Sequence, residues 1–426
     1  MYGHTVLAFK RTIVIESHAK DGIVSGGRGP SRRSFCAAAI GAFVPALAMP
    51  EFWFSVKTDL NAPKIDVAAI ERKRILRAAE RYLREAPVTI TAFSAVRSAG
   101  GKHDYFSEGD YWWPDPANPS GPYIQRDGLS NPDNFTQHRH ALLQLSVRMP
   151  ALCAAWLVTR QERYAAHAAS HLRAWFADES TRMNPNLEFA QAIHGRTTGR
   201  GIGIIDTLHL VEVARAAAVL EGSHSLAHDV RDRVRDWFAE YLRWMTTSSH
   251  GIAEREAKNN HGTSWVLQVA EFSLYTGNSE LLSFCQKRYA SVLVPDQIAP
   301  NGSFPRELAR TKPYAYSLFN LDVMTVICQI ASTPAENLWK FETADGRSIR
   351  KAIEYMYPFI ADKGRWPLPP DVQNFDQWPV RQPSLLFAGL AYSKPEYLKL
   401  WLRLNADPDT EEGIRNFPIR QPVLWV

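Results

Sequence analysis

An all-α fold is what this sequence predicts: an (α/α) toroid of helical hairpins, with loops at one rim lining a cleft. Three observations carry that expectation. Beyond residue 48 most of the chain places apolar residues three and four apart, the helical period. Few segments alternate polar and apolar residues as strands do. One long loop, residues 99–134, is rich in Gly, Pro, Asp and aromatic side chains. A loop of that length inside a folded domain is usually functional. Helices joined by turns pack as hairpins, and hairpins set side by side bury their apolar faces in a ring.

The elements follow in order. Residues 66–85 set Val67, Ile70, Leu76, Ala79 and Leu83 at helical spacing, with basic residues opposite. The long loop comes next, and its aromatics from Tyr105 to Trp113 argue that it is ordered. Residues 137–159 and 162–178 form a helical pair. Residues 202–220 read as one strongly apolar helix that stops at Gly222. Helices at 229–245, 263–275, 280–293, 316–330, 348–360, 383–392 and 395–404 complete the set. His138 and His140 stand two apart, point different ways on a helix and make a poor metal pair.

The N-terminus reads as a leader. Ser31-Arg32-Arg33-Ser34-Phe35 is a twin-arginine pattern, followed by an apolar run from Cys36 to Val44 and an Ala46-Leu47-Ala48 cleavage site. That run is too short to span a bilayer. The expected division is residues 1–48 as signal peptide, with an upstream extension, and residues 49–426 as a single toroid domain. Export to the periplasm follows, with no membrane contact after cleavage. Losing the leader takes 49 basic and 44 acidic residues to 43 and 42, a net charge of +1. Nucleic acid is therefore not an expected partner. Cys153, Cys285 and Cys328 remain, an odd number with no C-x-x-C spacing. Cys153 and Cys328 read as buried thiols, and neither a metal nor an organic cofactor is expected.

Candidate chemistry lies in two segments. Asn259-Asn260-His261-Gly262-Thr263-Ser264-Trp265 starts in a turn and enters a helix. Taken alone it is a capped helix start, with Asn260 as cap and Gly262 easing the turn. The second segment is Gly302-Ser303-Phe304-Pro305-Arg306-Glu307-Leu308-Ala309-Arg310, then Tyr314, Tyr316 and Asn320. Together they offer an amide, an imidazole, a guanidinium and a phenol. Those are the groups needed to take a proton from the carbon beside a carboxylate.

These motifs resemble the alginate lyase domain superfamily: Asn-Asn-His, then Glu-Leu-Ala-Arg, then a Tyr shortly after, as in polysaccharide lyase family five. The segment from Ala192 to Gly201, with His194, Arg196 and Arg200, is similar to a family segment bordering the cleft. The loop Asp110-Tyr111-Trp112-Trp113-Pro114-Asp115-Pro116, with Arg126-Asp127-Gly128, resembles more the branch holding the family thirty-eight alginate and glucuronan lyases. The resemblance implies β-elimination on a 1,4-linked polyuronate, alginate first and glucuronan next. It implies Asn260, His261, Arg310 and Tyr316 as catalytic residues. Asn259, Arg306, His194, Arg196, Arg200, Tyr111, Trp112, Trp113, Arg126 and Trp265 would bind an anionic polysaccharide. The chain is expected to be a monomer. One spacing departs from the family: a literal count from Arg310 lands on Ser317. A one-residue deletion restores Tyr316 and the following Phe319, and Tyr314 is a rival.

On this reading Asn260 and Arg310 hold the uronate carboxylate. His261 takes the C5 proton or helps neutralise the charge. Tyr316 donates to the leaving 4-oxygen, or acts as base if Arg310 or Arg306 lowers its pKa. Two other readings compete. A glycoside hydrolase on the same toroid would need paired carboxyls, for which Asp104, Glu108, Asp110 and Glu307 are available. A non-catalytic carbohydrate-binding protein would keep the aromatic loop and lose the His/Tyr/Arg set.

Overall fold

Several helices begin where a side chain accepts from their first N–H groups. In α1 (Val67–Tyr82) the Asp66 carboxylate accepts from the Ala69 N–H. The computed structural model describes residues 65–426, so the expected leader lies outside the described residues. Then come α2 (Gln137–Thr159), α3 (Glu162–Leu172), α4 (Leu210–Leu220), α5 (His228–Thr247) and α6 (Ser249–Arg255). Next are α7 (Asn260–Thr276), α8 (Ser279–Arg288), α9 (Val294–Gln297), α10 (Pro305–Leu308) and α11 (Pro313–Ala331). The last are α12 (Ile349–Ala361), α13 (Pro383–Ala391), α14 (Pro395–Arg403) and α15 (Glu411–Arg415). Asn259, Asn278 and Ser348 cap α7, α8 and α12 with their side chains. Helix α7 stops at Gly277, whose φ of 77° suits a residue without Cβ.

The expected toroid is there. Helices α2, α4, α7, α11 and α13 pack one on the next as an inner row. Outside them α1 and α3 lie on α2, α5 and α8 on α7, α12 on α11, and α14 on α13. The inner helices are apolar almost all round, because they are covered on both sides; α11 buries nearly every residue from Pro313 to Ala331. The ring is incomplete, and its seam runs between α13 and α1. There Arg381 and Arg74 both pair with Glu71, and Arg74 also reaches Asp407. The turn Pro422–Leu424 packs on α1 and α4. Glu212 of α4 anchors it, accepting from the backbone N–H groups of Arg420 and Gln421 and the indole of Trp425.

Three helical expectations need correction. Residues 202–220 are not one helix: a tight 3-10 turn, Gly201–Thr207, precedes α4. The cause is close backbone packing. A Cβ on Gly199 would lie 1.8 Å from the Glu188 carbonyl oxygen, one on Gly203 2.5 Å from the Ala190 Cβ. The helices expected to reach 178 and 293 end in π-helical turns, Arg173–Ala177 and Tyr289–Leu293. Helix α6 was not expected at all. The long loop is ordered by short strands: β1 (Phe106–Glu108) pairs in parallel with β4 (Phe189–Ala192), and β2 (Trp112–Trp113) pairs antiparallel with β3 (Ile124–Gln125). Cys153, Cys285 and Cys328 are free and buried, and burial pushes all three thiols up.

Candidate active site

The start of α7 carries the first half of the site. Asn259, not Asn260, is the cap; its side-chain oxygen accepts from the His261 N–H. That corrects the expectation that Asn260 is the cap. Asn260 lies at the first helical position, 4% exposed, with backbone N–H and side-chain amide both donating 2.7 Å bonds to Glu307. Burial pushes the Glu307 carboxyl up; the Asn260 bonds and the charges of Arg310 and His261 oppose it. Glu307 thus ties the Asn-Asn-His segment to α10, which leads to Arg310. The His261 imidazole is half-buried, and its Nδ1 lies 2.8 Å from Glu254 Oε1. Gly262 permits this turn, since a Cβ there would stand 2.2 Å from the Ala257 carbonyl oxygen.

The start of α11 carries the second half. Pro313 fills the first turn, and Asp371 accepts from the N–H groups of Tyr314 and Ala315. Tyr316 then projects beside Arg310, whose guanidinium lies 4.6 Å from the ring centroid. The Tyr316 hydroxyl is 2.7 Å from that of Tyr111 and 3.5 Å from Arg310 Nη2. Arg310 is itself held by Asp127, through bonds of 3.2 and 2.7 Å, and Thr311 donates to the same carboxylate. Burial pushes the Tyr316 phenol far up, Tyr111 adds to it, and Arg310 does not outweigh them. Arg310 does pull the phenol down, but less than burial and Tyr111 push it up, so the condition set for Tyr316 as base is not met. Tyr314 is no rival: it is 0% exposed, donates to the Phe359 carbonyl and packs edge-on to Trp366 and Phe375.

The long loop builds the wall. Arg196 and Arg200 both lie over the Trp112 ring, at 5.2 and 5.8 Å. Arg126 lies 5.2 Å over Trp113, whose indole donates to the Leu129 carbonyl. Arg196 also donates to the Tyr123 carbonyl, and Arg200 to the carbonyl and side chain of Gln191. His194 is exposed, its ring 5.1 Å from that of Tyr123. One expected contact falls away: Trp265 is 1% exposed and donates to the Met245 carbonyl, so it is core. Arg306 is exposed on α10.

The carboxyls a hydrolase would need are all engaged. Asp104 accepts from Gly101 and Asn184, and Glu108 from Arg97 and Phe135. Asp110 sits between Arg139 and Arg415, which hold its carboxyl down at about 2 against burial. Glu307 serves Asn260. None forms a pair flanking a free space. Sequence reasoning missed two partners. Asp127 stood unremarked inside a quoted motif, and Glu254 lies on the unexpected α6 with no motif around it.

Comparison with known proteins agrees with this frame. The family profile described as alginate lyase matches residues 89–366. The crystal structure of an alginate lyase from Bacteroides ovatus shares 32% identity and a TM-score of 0.74, over 85% of this chain and 94% of that one. A histidine-to-alanine variant of alginate lyase A1-III, an enzyme of Sphingomonas species A1, complexed with tetrasaccharide, shares 17% identity and a TM-score of 0.53, over 89% and 99%. The second likeness speaks for the fold alone. No curated protein matches the chain significantly. Motifs, toroid and profile agree: the chain belongs to the alginate lyase family of polysaccharide lyases.

Proposed function

We propose that the protein cleaves a 1,4-linked polyuronate by β-elimination, with alginate as the first substrate and glucuronan the next. The observation that carries this reading is the pairing of Tyr316 with Tyr111 and Arg310, together with the Glu307 carboxylate that holds Asn260 beside His261 and feels the charges of both Arg310 and His261. The uronate carboxylate meets the Arg310 donors that Asp127 leaves free and the amide of Asn260. Neutralised there, it makes the C5 proton acidic. His261 takes that proton through Nε2. The electron pair forms the C4–C5 double bond as the C4–oxygen bond breaks. Tyr316, kept protonated by burial, gives its proton to the leaving oxygen. Trp112, Trp113, Arg126, Arg196 and Arg200 hold neighbouring sugars by stacking and charge. We further propose export by the twin-arginine route with cleavage after Ala48, and a monomer in solution. The mass of the exported chain and light scattering read these two points.

The test is to incubate the enzyme with polymannuronate, polyguluronate, glucuronan and hyaluronan, and to follow the conjugated unsaturated uronate by ultraviolet absorbance. New reducing ends without that chromophore would overturn elimination. His261→Ala is expected to lower kcat by at least about 100-fold, the usual scale for a lost acid or base.

A further inference from the structure

The fully buried carboxyl behind His261 is not used in the mechanism above. Glu254 is 0% exposed and sits on α6, a helix clamped by three glycines that lack room for a Cβ. On Gly201 a Cβ would lie 2.6 Å from the His250 carbonyl oxygen, on Gly251 1.9 Å from that of Met245, and on Gly262 2.2 Å from that of Ala257. These approaches are to backbone, which cannot swing aside. They fix α6 against the Gly201–Thr207 turn, the end of α5 and the first turn of α7. Glu254 Oε1 is 2.8 Å from His261 Nδ1, while Oε2 has no hydrogen-bond partner. A buried carboxylate held this firmly, with one polar contact and that to a half-buried imidazole, has little structural return of its own.

We propose that Glu254 is a positioning residue for His261, fixing the tautomer that presents the Nε2 lone pair to the substrate. The inference rests on the elimination reading. A carboxylate can only accept, so Nδ1 carries the proton and Nε2 is left unprotonated and basic. The negative charge also stabilises the imidazolium that forms once Nε2 has taken the C5 proton. The groups facing the pair are Arg200 and the buried Tyr241 phenol, both of which interact with Glu254 through space, and Glu307, which interacts with His261. The arrangement is set before substrate arrives, because Gly262 and Asn259 fix the imidazole's backbone while α6 fixes its partner.

The test is Glu254→Gln, which keeps an acceptor oxygen and removes the charge. On polymannuronate the variant is expected to lose about 10- to 100-fold in kcat with KM changed less than threefold. The acid limb of its kcat/KM profile is expected to move to lower pH, because His261 loses an anionic neighbour. An unmoved limb, or a loss equal at every pH, would make Glu254 merely structural and overturn the proposal. Wild type giving no unsaturated product on any polyuronate would instead overturn the elimination reading, a separate outcome. If the variant does not fold, nitrogen NMR of wild-type His261, assigned by its loss in His261→Ala, decides. A proton on Nδ1 supports the proposal, and a proton on Nε2 sinks it.

Discussion

Tyrosines two positions apart on α11 have opposite fates. Tyr314 is inside and gives its hydroxyl to a carbonyl; Tyr316 shares its hydroxyl with Tyr111 across the cleft. Tyr314→Phe is expected to cost about 1 kcal/mol of stability, one hydrogen bond, and to leave kcat within about twofold. Tyr316→Phe is expected to lower kcat by at least about 100-fold with little change in melting temperature. Steady-state kinetics and thermal melts on the two variants check both, and reversed effects would move the proton donor to Tyr314. The sequence showed both residues but not their directions. The one-residue slip in spacing is resolved by Asp371, which caps α11 from far along the chain and sets the helix phase. The Arg310 partner was equally hidden. Asp127 is 183 residues away, and only the folded loop brings it to the guanidinium.

At the scale of elements, the helices that the apolar period announced are those with long buried faces. Expected and observed bounds agree for α2, and differ by a few residues for α5, α11 and α13. What the period missed is α6 and the Gly201–Thr207 turn, where glycine is chosen for closeness rather than flexibility. Gly201 and Gly203 fall at the start of a stretch expected to be one helix, yet at each a side chain would strike a neighbouring backbone. Gly262 belongs to the same class. Gly262→Ala places a methyl against the Ala257 carbonyl and is expected to cost about 1–3 kcal/mol. Because the strain falls on the turn that aims His261, kcat should drop more than the folded fraction does. Denaturant melts beside kinetics test this, and full kcat in the folded fraction would show that the turn tolerates the shift.

At the scale of the whole molecule, a buried acid ties the C-terminal segment to the ring. Glu212 on α4 holds the C-terminal segment through backbone N–H groups, and burial pushes its carboxyl up to about 7, with those hydrogen bonds opposing. Between its ordinary value near 4.5 and about 7 the folded chain binds more protons than the unfolded one. Its contribution is therefore fully present below about 4.5 and is lost as pH rises through about 7. Asp322, pushed up to about 7 by burial, adds a slope of the same sign. Glu212→Gln should flatten the fall in melting temperature between pH 5 and pH 8 that Glu212 imposes, leaving the part due to Asp322. An unchanged slope would mean that Glu212 does not titrate there. Glu212→Ala, which strands two backbone donors and an indole, should cost about 2–4 kcal/mol at pH 5.

The seam of the ring also dictates an order of events. Arg74, in the middle of α1, pairs with Asp407 and donates to the Arg420 carbonyl, contacts spanning 333 and 346 residues. No earlier stretch of chain supplies those partners. During synthesis the inner helices α2, α4, α7 and α11 emerge and stack in sequence, as neighbours do. Glu71 and Arg74 pair with each other inside α1, and the later chain adds Arg381, Asp407 and the Arg420 carbonyl to them. Closing this seam carries the loop-closure cost of contacts 333 and 346 residues apart, and is expected to follow the local stacking of the inner helices.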